Sequence, residues 1–321
     1  MTMKTLWKAA VATLALGCSL AAQAWPERPV RLVVPYAPGG AADALARVVA
    51  AELGTRLKQT VFIENKVGAG GTLGAQAVAQ AGAEGHTFLY DATAFTVNPS
   101  LYAKLPFDYR QDFVPVGLVA RVPTLLVVPA SSPVRTVADL VQRAKAQPGR
   151  LAYASAGKGG AAHLSAELFQ QGLGIDLIHV PYKGGAPALT DLAGGQVEFM
   201  FSAITASGPL VKAGRLRAIA TAFDQRIDSL PQVPTVAESG LPGFSAFEWN
   251  GLWAPRGTPA EVVRRLEGEL REVLASPTLR AKFAEMGAVP GSGDARAFGA
   301  FVTSETAKWA RVIQTARLEL D

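Results

Sequence analysis

Short, nearly continuous runs of apolar and β-branched residues punctuate the chain at Val30–Val34, Val61–Ile63, Thr87–Tyr90, Val114–Val119, Leu125–Val128, Leu151–Ala154, Leu177–Val180, Val197–Phe201 and Leu216–Ala220. Runs of this length without polar alternation predict strands buried on both faces. Between most of them the apolar period changes to that of a helix. Leu45, Val49, Leu53 and Leu57 recur every four residues, with Asp43, Arg47 and Arg56 off that row. Pro259 to Leu274 reads as a second clear helix: Pro259 suits the first turn, Val262, Val263, Leu266 and Leu270 form the apolar stripe, and Glu261 and Arg265 are spaced as an ion pair. Strands alternating with helices predict an α/β protein with a mainly parallel sheet covered on both faces.

The first apolar stretch, Ala9 to Leu20, is different. It follows Lys4 and Lys8 and precedes Ala22-Gln23-Ala24, so residues 1–24 read as an export signal cleaved before Trp25. It is shorter than the roughly 18 or more apolar residues that a membrane span requires, and no later run is long enough either. Leu16-Gly17-Cys18 resembles part of a lipobox, but Ala15 stands where a larger aliphatic residue is usual, so a lipid anchor at Cys18 is not the preferred reading. Cleavage after Ala24 discards the only cysteine, which excludes a disulfide, a thiol nucleophile and a cysteine metal ligand from the mature chain.

The remaining 297 residues (321 less 24) suffice for about two domains. Removing Lys4 and Lys8 lowers the net charge from +5 to +3, with no basic block, so no nucleic-acid partner is expected. Boundaries are expected near Arg121-Val122-Pro123 and near Leu241-Pro242-Gly243.

Candidate chemistry concentrates where strands run into glycine turns. Val30–Val34 enters Pro35-Tyr36-Ala37-Pro38-Gly39-Gly40-Ala41-Ala42-Asp43, then a helix. The first turn of a helix has unpaired N–H groups and the positive end of its dipole, and glycine lets an anion approach them. Tyr36, Pro38, Gly39, Gly40 and Ala41 are therefore candidate ligand contacts, and Asp43 a candidate that also serves as a helix-end partner. Ser155-Ala156-Gly157-Lys158-Gly159-Gly160 repeats this chemistry ahead of a helix carrying His163, which makes Ser155, Gly157 and His163 candidates. Tyr182 follows a third such strand, Ser202 ends a fourth, and Thr93 and Asn98 follow a fifth.

Several other chemistries do not fit. Gly68-Ala69-Gly70-Gly71-Thr72-Leu73 puts Leu73 where a dinucleotide fingerprint needs its third glycine. Tyr153-Ala154-Ser155-Ala156-Gly157 lacks the first glycine of a hydrolase elbow. His86, His163 and His179 are not spaced as metal ligands. No catalytic residues, metal or cofactor are expected. Polar strand ends joined to helix N-termini, without an activated nucleophile or acid/base pair, predict an exported anion receptor. An exported enzyme acting on an acidic metabolite is the alternative from another class.

Tyr36-Ala37-Pro38-Gly39-Gly40 with Asp43, Glu64-Asn65-Lys66 with Gly68-Ala69-Gly70-Gly71, Asn98-Pro99-Ser100-Leu101-Tyr102, Tyr153 to Gly157 with His163-Leu164, His179 to Gly184 and Val233-Pro234-Thr235 share an order and spacing. Together they resemble the tripartite tricarboxylate transporter substrate-binding receptors, the Bug receptors, over nearly the whole mature chain. The resemblance implies a type II periplasmic-binding fold of two lobes around a ligand cleft, with a two-strand hinge: residues 25–121 and 244–321 in the first lobe, 122–243 in the second. It implies delivery of a small organic carboxylate to a membrane permease with two integral subunits; a periplasmic monomer is expected, and a receptor that presents its ligand to a sensor protein is a further alternative. The chain departs from the family pattern at Ala42, where a hydroxyl residue is frequent, and at Ser202, where many members have Asp. The latter makes plain carboxylates the expected ligands ahead of amino acids.

Overall fold

The computed structural model describes residues 25–102 and 104–318; the expected export signal, with Cys18, lies outside the described residues. Strands β1 (Val30–Val34), β2 (Val61–Asn65), β3 (Thr87–Ala92) and β4 (Phe113–Val122) belong to one sheet. The next five, β5 (Thr124–Pro129), β6 (Ala152–Ser155), β7 (Ile178–Pro181), β8 (Phe199–Ala203) and β9 (Leu216–Thr221), form a second sheet in the order β7-β6-β8-β5-β9. The chain then returns with β10 (Glu248–Pro255) and β11 (Val289–Pro290), completing the first sheet as β11-β4-β10-β3-β1-β2. Helices α1 (Ala41–Leu57), α2 (Thr72–Ala79), α3 (Ala94–Leu101), α4 (Val137–Ala146), α5 (Ala161–Leu173), α6 (Gly185–Ala193), α7 (Ile204–Lys212), α8 (Ala260–Ala275), α9 (Pro277–Glu285) and α10 (Ala295–Ala316) surround the sheets.

Each expected strand is present, and the runs of β1, β5 and β8 are buried on both faces, but the expectation fails at the sheet edges: in β2 Phe62 and in β7 Ile178 are exposed, because an edge strand is covered on fewer sides. In β1, Val30, Leu32 and Val34 pack with Leu45, Val49 and Leu53 of α1, whereas Val33 points into a second cluster with Ala75 and Val78 of α2. The α8 stripe of Val262, Val263, Leu266 and Leu270 is buried as expected. Burying one such side chain contributes about 1.5–3 kcal/mol, so these stripes fix both helices against the sheet.

The expectation of mainly parallel sheets needs correction. β1 is parallel to β2 and β3, and β6 to β7 and β8, but β10 is antiparallel to both β3 and β4, and β5 to both β8 and β9. Apolar continuity reports burial on two faces and carries no information about strand direction. Direction is set by the crossings between the sheets.

Those crossings lie side by side. Only Pro123 separates β4 from β5, so a single residue carries the chain from one sheet to the other. On the return path Ala222 N donates to Thr124 O at 2.7 Å, and Ala246 N donates to Ala222 O at 2.9 Å. The guanidinium of Arg121 sits 4.6 Å from the Phe223 ring centre and bonds Asp224 at 2.7 Å. Helix α10 packs on both halves: Phe298 meets Trp249 and Trp253, while Trp309, Val312 and Ile313 join the cluster of Tyr153 and Phe169.

Candidate functional site

A cavity of about 500 Å³ opens at the carboxyl ends of the strands, the usual place for a ligand in an open α/β sheet. Three helix N-termini border it: Gly40 leads into α1, Thr93 into α3 and Gly160 into α5. None of the three has a side-chain cap on its helix, so the first-turn N–H groups are not consumed by a capping oxygen. Three positive helix ends around one volume favour an anion there.

Two of these junctions have the same sequence and shape. Gly39-Gly40-Ala41-Ala42 and Gly159-Gly160-Ala161-Ala162 each begin with a glycine of positive φ, 80° and 76°. The second glycine is extended in both, at φ −72°, ψ 165° and φ −75°, ψ 167°. A left-handed residue followed by an extended one turns the strand exit back onto the helix axis, and glycine is the residue that does so without strain. Each first glycine is also tied forward: Gly39 N donates to Asp43 Oδ2 at 2.9 Å and Gly159 N to His163 Nδ1 at 3.0 Å.

Of the residues expected at the site, Tyr36, Gly40, Ala41 and Thr93 line the cavity. Pro38, Gly39, Asp43, Ser155, Gly157, His163, Tyr182 and Ser202 are not among its lining residues, and most are engaged elsewhere. Asp43 is buried and also bonds Arg47 and Asn65. Burial works to raise its carboxyl, but hydrogen bonds from Arg47, Asn65 and Gly39 outweigh it and hold the group below its ordinary value. Tyr182 donates to Asp191 at 2.9 Å. Ser202 Oγ turns toward its own chain, at Ala203 O. From the second lobe, then, the cavity receives Lys158, Gly159, Gly160 and Ala161, one turn beyond the expected Ser155 and Gly157.

Ser155 and His163 form the support beneath that loop. Ser155 Oγ lies 2.7 Å from His179 Nε2, and the rings of His163 and His179 stack with centroids 3.8 Å apart and 9° between planes. Burial, with the neighbouring His163, pushes His179 down to about 4, so it is neutral at pH 7. Glu167 Oε1 is 3.5 Å from His163 Nε2 and accepts from Tyr153 at 2.7 Å. The serine–histidine pair is thus fully buried on the serine side, outside the cavity, and braces the loop.

In the first lobe, Tyr36 donates to Asp91 Oδ1 at 2.7 Å. Burial raises Asp91 to about 7, opposed only partly by the bonds from Tyr36 and Ala92 N. Thr93 Oγ1 is buried with no partner among the described residues. Sequence reasoning missed Lys158, Glu248 and Asn250 as lining residues, whereas Asn98, which follows β3 with Thr93, does line the cavity. The doubled Gly-Gly-Ala-Ala was a visible signal for Lys158 to Ala161, whereas nothing local marks β10, which reaches the cavity only through the return crossing. A wider groove of about 750 Å³ near Arg135 and Glu238 has no strand-end glycine junction, and the Arg217 guanidinium on it is already bonded to Ala130, Ser132 and Val134 carbonyls.

Among the described residues no helix is long and apolar enough to cross a membrane, and no group of three or more His, Cys, Asp or Glu is placed to hold a metal ion. Protein BugT of Bordetella pertussis is 35% identical to the chain over 312 residues, 97% of this chain and 96% of its own length. A protein of R. palustris solved with adipate is 40% identical with a TM-score of 0.80, over 92% of this chain and all of that one. MatC from Rhodopseudomonas palustris, solved with bound malate, is 34% identical with a TM-score of 0.75, over 90% of this chain and all of that one. The model of the tripartite tricarboxylate transporter family receptor matches residues 45–318, and the chain belongs to that receptor family.

Proposed function

We propose that the protein is a periplasmic receptor that captures a small organic carboxylate between its two lobes and delivers it to two integral membrane permease subunits. The observation that carries this reading is the convergence of three uncapped helix N-termini, at Gly40, Thr93 and Gly160, on one cavity of about 500 Å³. Peptide N–H groups at helix ends bind a carboxylate without a cationic side chain having to be desolvated. Related proteins solved with adipate and with malate support the ligand class.

The protein acts by binding, not by catalysis. The serine–histidine pair of Ser155 and His179 lies behind the loop, and among the described residues that line the cavity the only acidic side chain is Glu248 and the only basic one Lys158. The lobe boundaries near Pro123 and between Ala222 and Phe247 make closure about these crossings the expected response to ligand. A thermal-shift screen of mono-, di- and tricarboxylates against the corresponding amides tests the reading. A ligand at 100 times its Kd adds about 2.7 kcal/mol of stability. Carboxylates are expected to raise the melting temperature while their amides do not, and equal shifts from both would overturn the anion assignment.

A further inference from the structure

The cavity has a second polar wall that the helix ends do not explain. Glu248 and Asn250 are two residues apart on β10, hence on one face of the strand, and both border the cavity. Asn250 is 96% buried by accessible area, being 4% exposed, yet its amide makes no hydrogen bond among the described residues. Glu248, half-buried at the mouth of the same wall, likewise has no hydrogen-bond or ion-pair partner among them, and desolvation raises its carboxyl above the ordinary value. Buried polar groups are ordinarily satisfied. Two neighbouring side chains without a protein partner on the wall of a ligand cavity are therefore placed to take a partner from the ligand.

The chemistry of that partner follows from what each side chain lacks. A glutamate carboxylate only accepts, so it needs a donor, and a second carboxylate brought beside it is repelled in a site partly shielded from water. The amide of Asn250 both donates and accepts, and suits a hydroxyl. We infer that Glu248 and Asn250 read the end of the ligand opposite its anchored carboxylate, and that the cavity selects a carboxylate carrying a hydrogen-bond donor there, a hydroxyl or an ammonium, over a dicarboxylate of equal length. This rests on the carboxylate reading above. It also reverses the preference for plain carboxylates suggested by Ser202, because Glu248 supplies from the first lobe the acidic group that Ser202 does not supply from the second.

Calorimetric titration with two matched sets tests it: adipate, 6-hydroxyhexanoate and 6-aminohexanoate, then succinate, 4-hydroxybutanoate and 4-aminobutanoate. In at least one set, a donor-bearing member is expected to bind at least about tenfold tighter than the dicarboxylate, the size of one charge-assisted hydrogen bond. The hydroxyl and amino arms show which donor is read. Glu248→Gln keeps the shape, removes the charge and adds a donor, so the preference should shrink to about threefold or less, with the unliganded melting temperature unchanged or higher. Dicarboxylates binding as tightly as both partners in both sets would overturn the inference and leave the carboxylate reading intact. So would a preference that survives Glu248→Gln. If no member of either set binds while an amide or other neutral ligand does, both readings fall together.

Discussion

Asp43 and His163 do the same job in the first turns of two separate helices: each accepts the N–H of the glycine four residues before it, at 2.9 and 3.0 Å. A carboxylate and an imidazole are interchangeable here because only a correctly placed lone pair is needed. Both bonds hold a left-handed glycine next to a helix start and so fix the direction of the first-turn N–H groups.

Removing the acceptor should loosen the clamp. Asp43→Ala is expected to cost about 1–2 kcal/mol of stability, as loss of a helix-end bond does, and to weaken ligand binding, while Asp43→Asn keeps an acceptor and most of the affinity. Melting curves and calorimetry on the pair check this; equal affinity in the alanine and asparagine variants would show that the loop keeps its shape unaided.

Gly160 separates binding from folding more cleanly than Gly40. A Cβ added at Gly160 would lie 3.5 Å from Gly157 O, an ordinary contact, whereas at Gly40 it would press to 3.3 Å on Ala37 O. With φ at −75° the backbone admits any residue. Gly160→Val is expected to lower affinity at least tenfold while costing less than about 1 kcal/mol of stability. Unchanged affinity would move the anion away from this loop.

Asp91 makes stability depend on pH in a predictable direction. Its folded value, about 7, lies above the usual 3.8. The contribution of the protonated group is therefore fully present below the unfolded value and is lost as the pH rises to about 7. Asp91→Asn preserves an acceptor for Tyr36 and removes the titration. The variant should match the wild type near pH 4 and exceed it at pH 8 by on the order of 3 kcal/mol. Thermal melts at both pH values measure the difference, and parallel pH profiles would place the ionised carboxylate in the folded protein.

Tyr182→Phe and Ser202→Ala serve as contrasts. The Tyr182 hydroxyl is given to Asp191 and Ser202 turns back on its own strand, so affinity should change by less than about threefold in either variant, within the range of a lost uncharged bond outside the site. A larger loss in calorimetry would bring these residues to the ligand in a closed form.

Closure itself has a solution signature. Small-angle scattering with a confirmed ligand is expected to give a smaller radius of gyration than without it, because neither lobe alone surrounds a carboxylate. Identical distance distributions would mean a rigid site.

Much of this was legible in the chain. Val30–Val34 and Leu125–Val128 announce buried strands because burial on two faces leaves no room for polar residues, and Gly39-Gly40 announces an approachable helix end because local backbone chemistry is written locally. Strand direction was not legible, since an apolar run has no polarity, and β10 joins β3 and β4 across some 130 to 160 residues of sequence. The same distance hid Glu248 and Asn250, whose importance comes from the wall they share with Gly40 and Gly160. Ser155, Tyr182 and Ser202 failed to reach the cavity for the opposite reason: each found a partner within its own lobe.

On the proposed reading the anchoring end of this cavity is made of peptide groups, which only a change to proline can delete. Substitution can crowd Gly40 or Gly160 or slacken the bonds from Gly39 and Gly159, but the donors themselves survive every mutation except one to proline. The wall formed by Glu248 and Asn250 has no such protection, since each is one nucleotide change from a different chemistry. A gene of this design can therefore drift in what it recognises at one end of a molecule while its hold on the other end persists, and new specificities can arise without passing through a form that binds nothing.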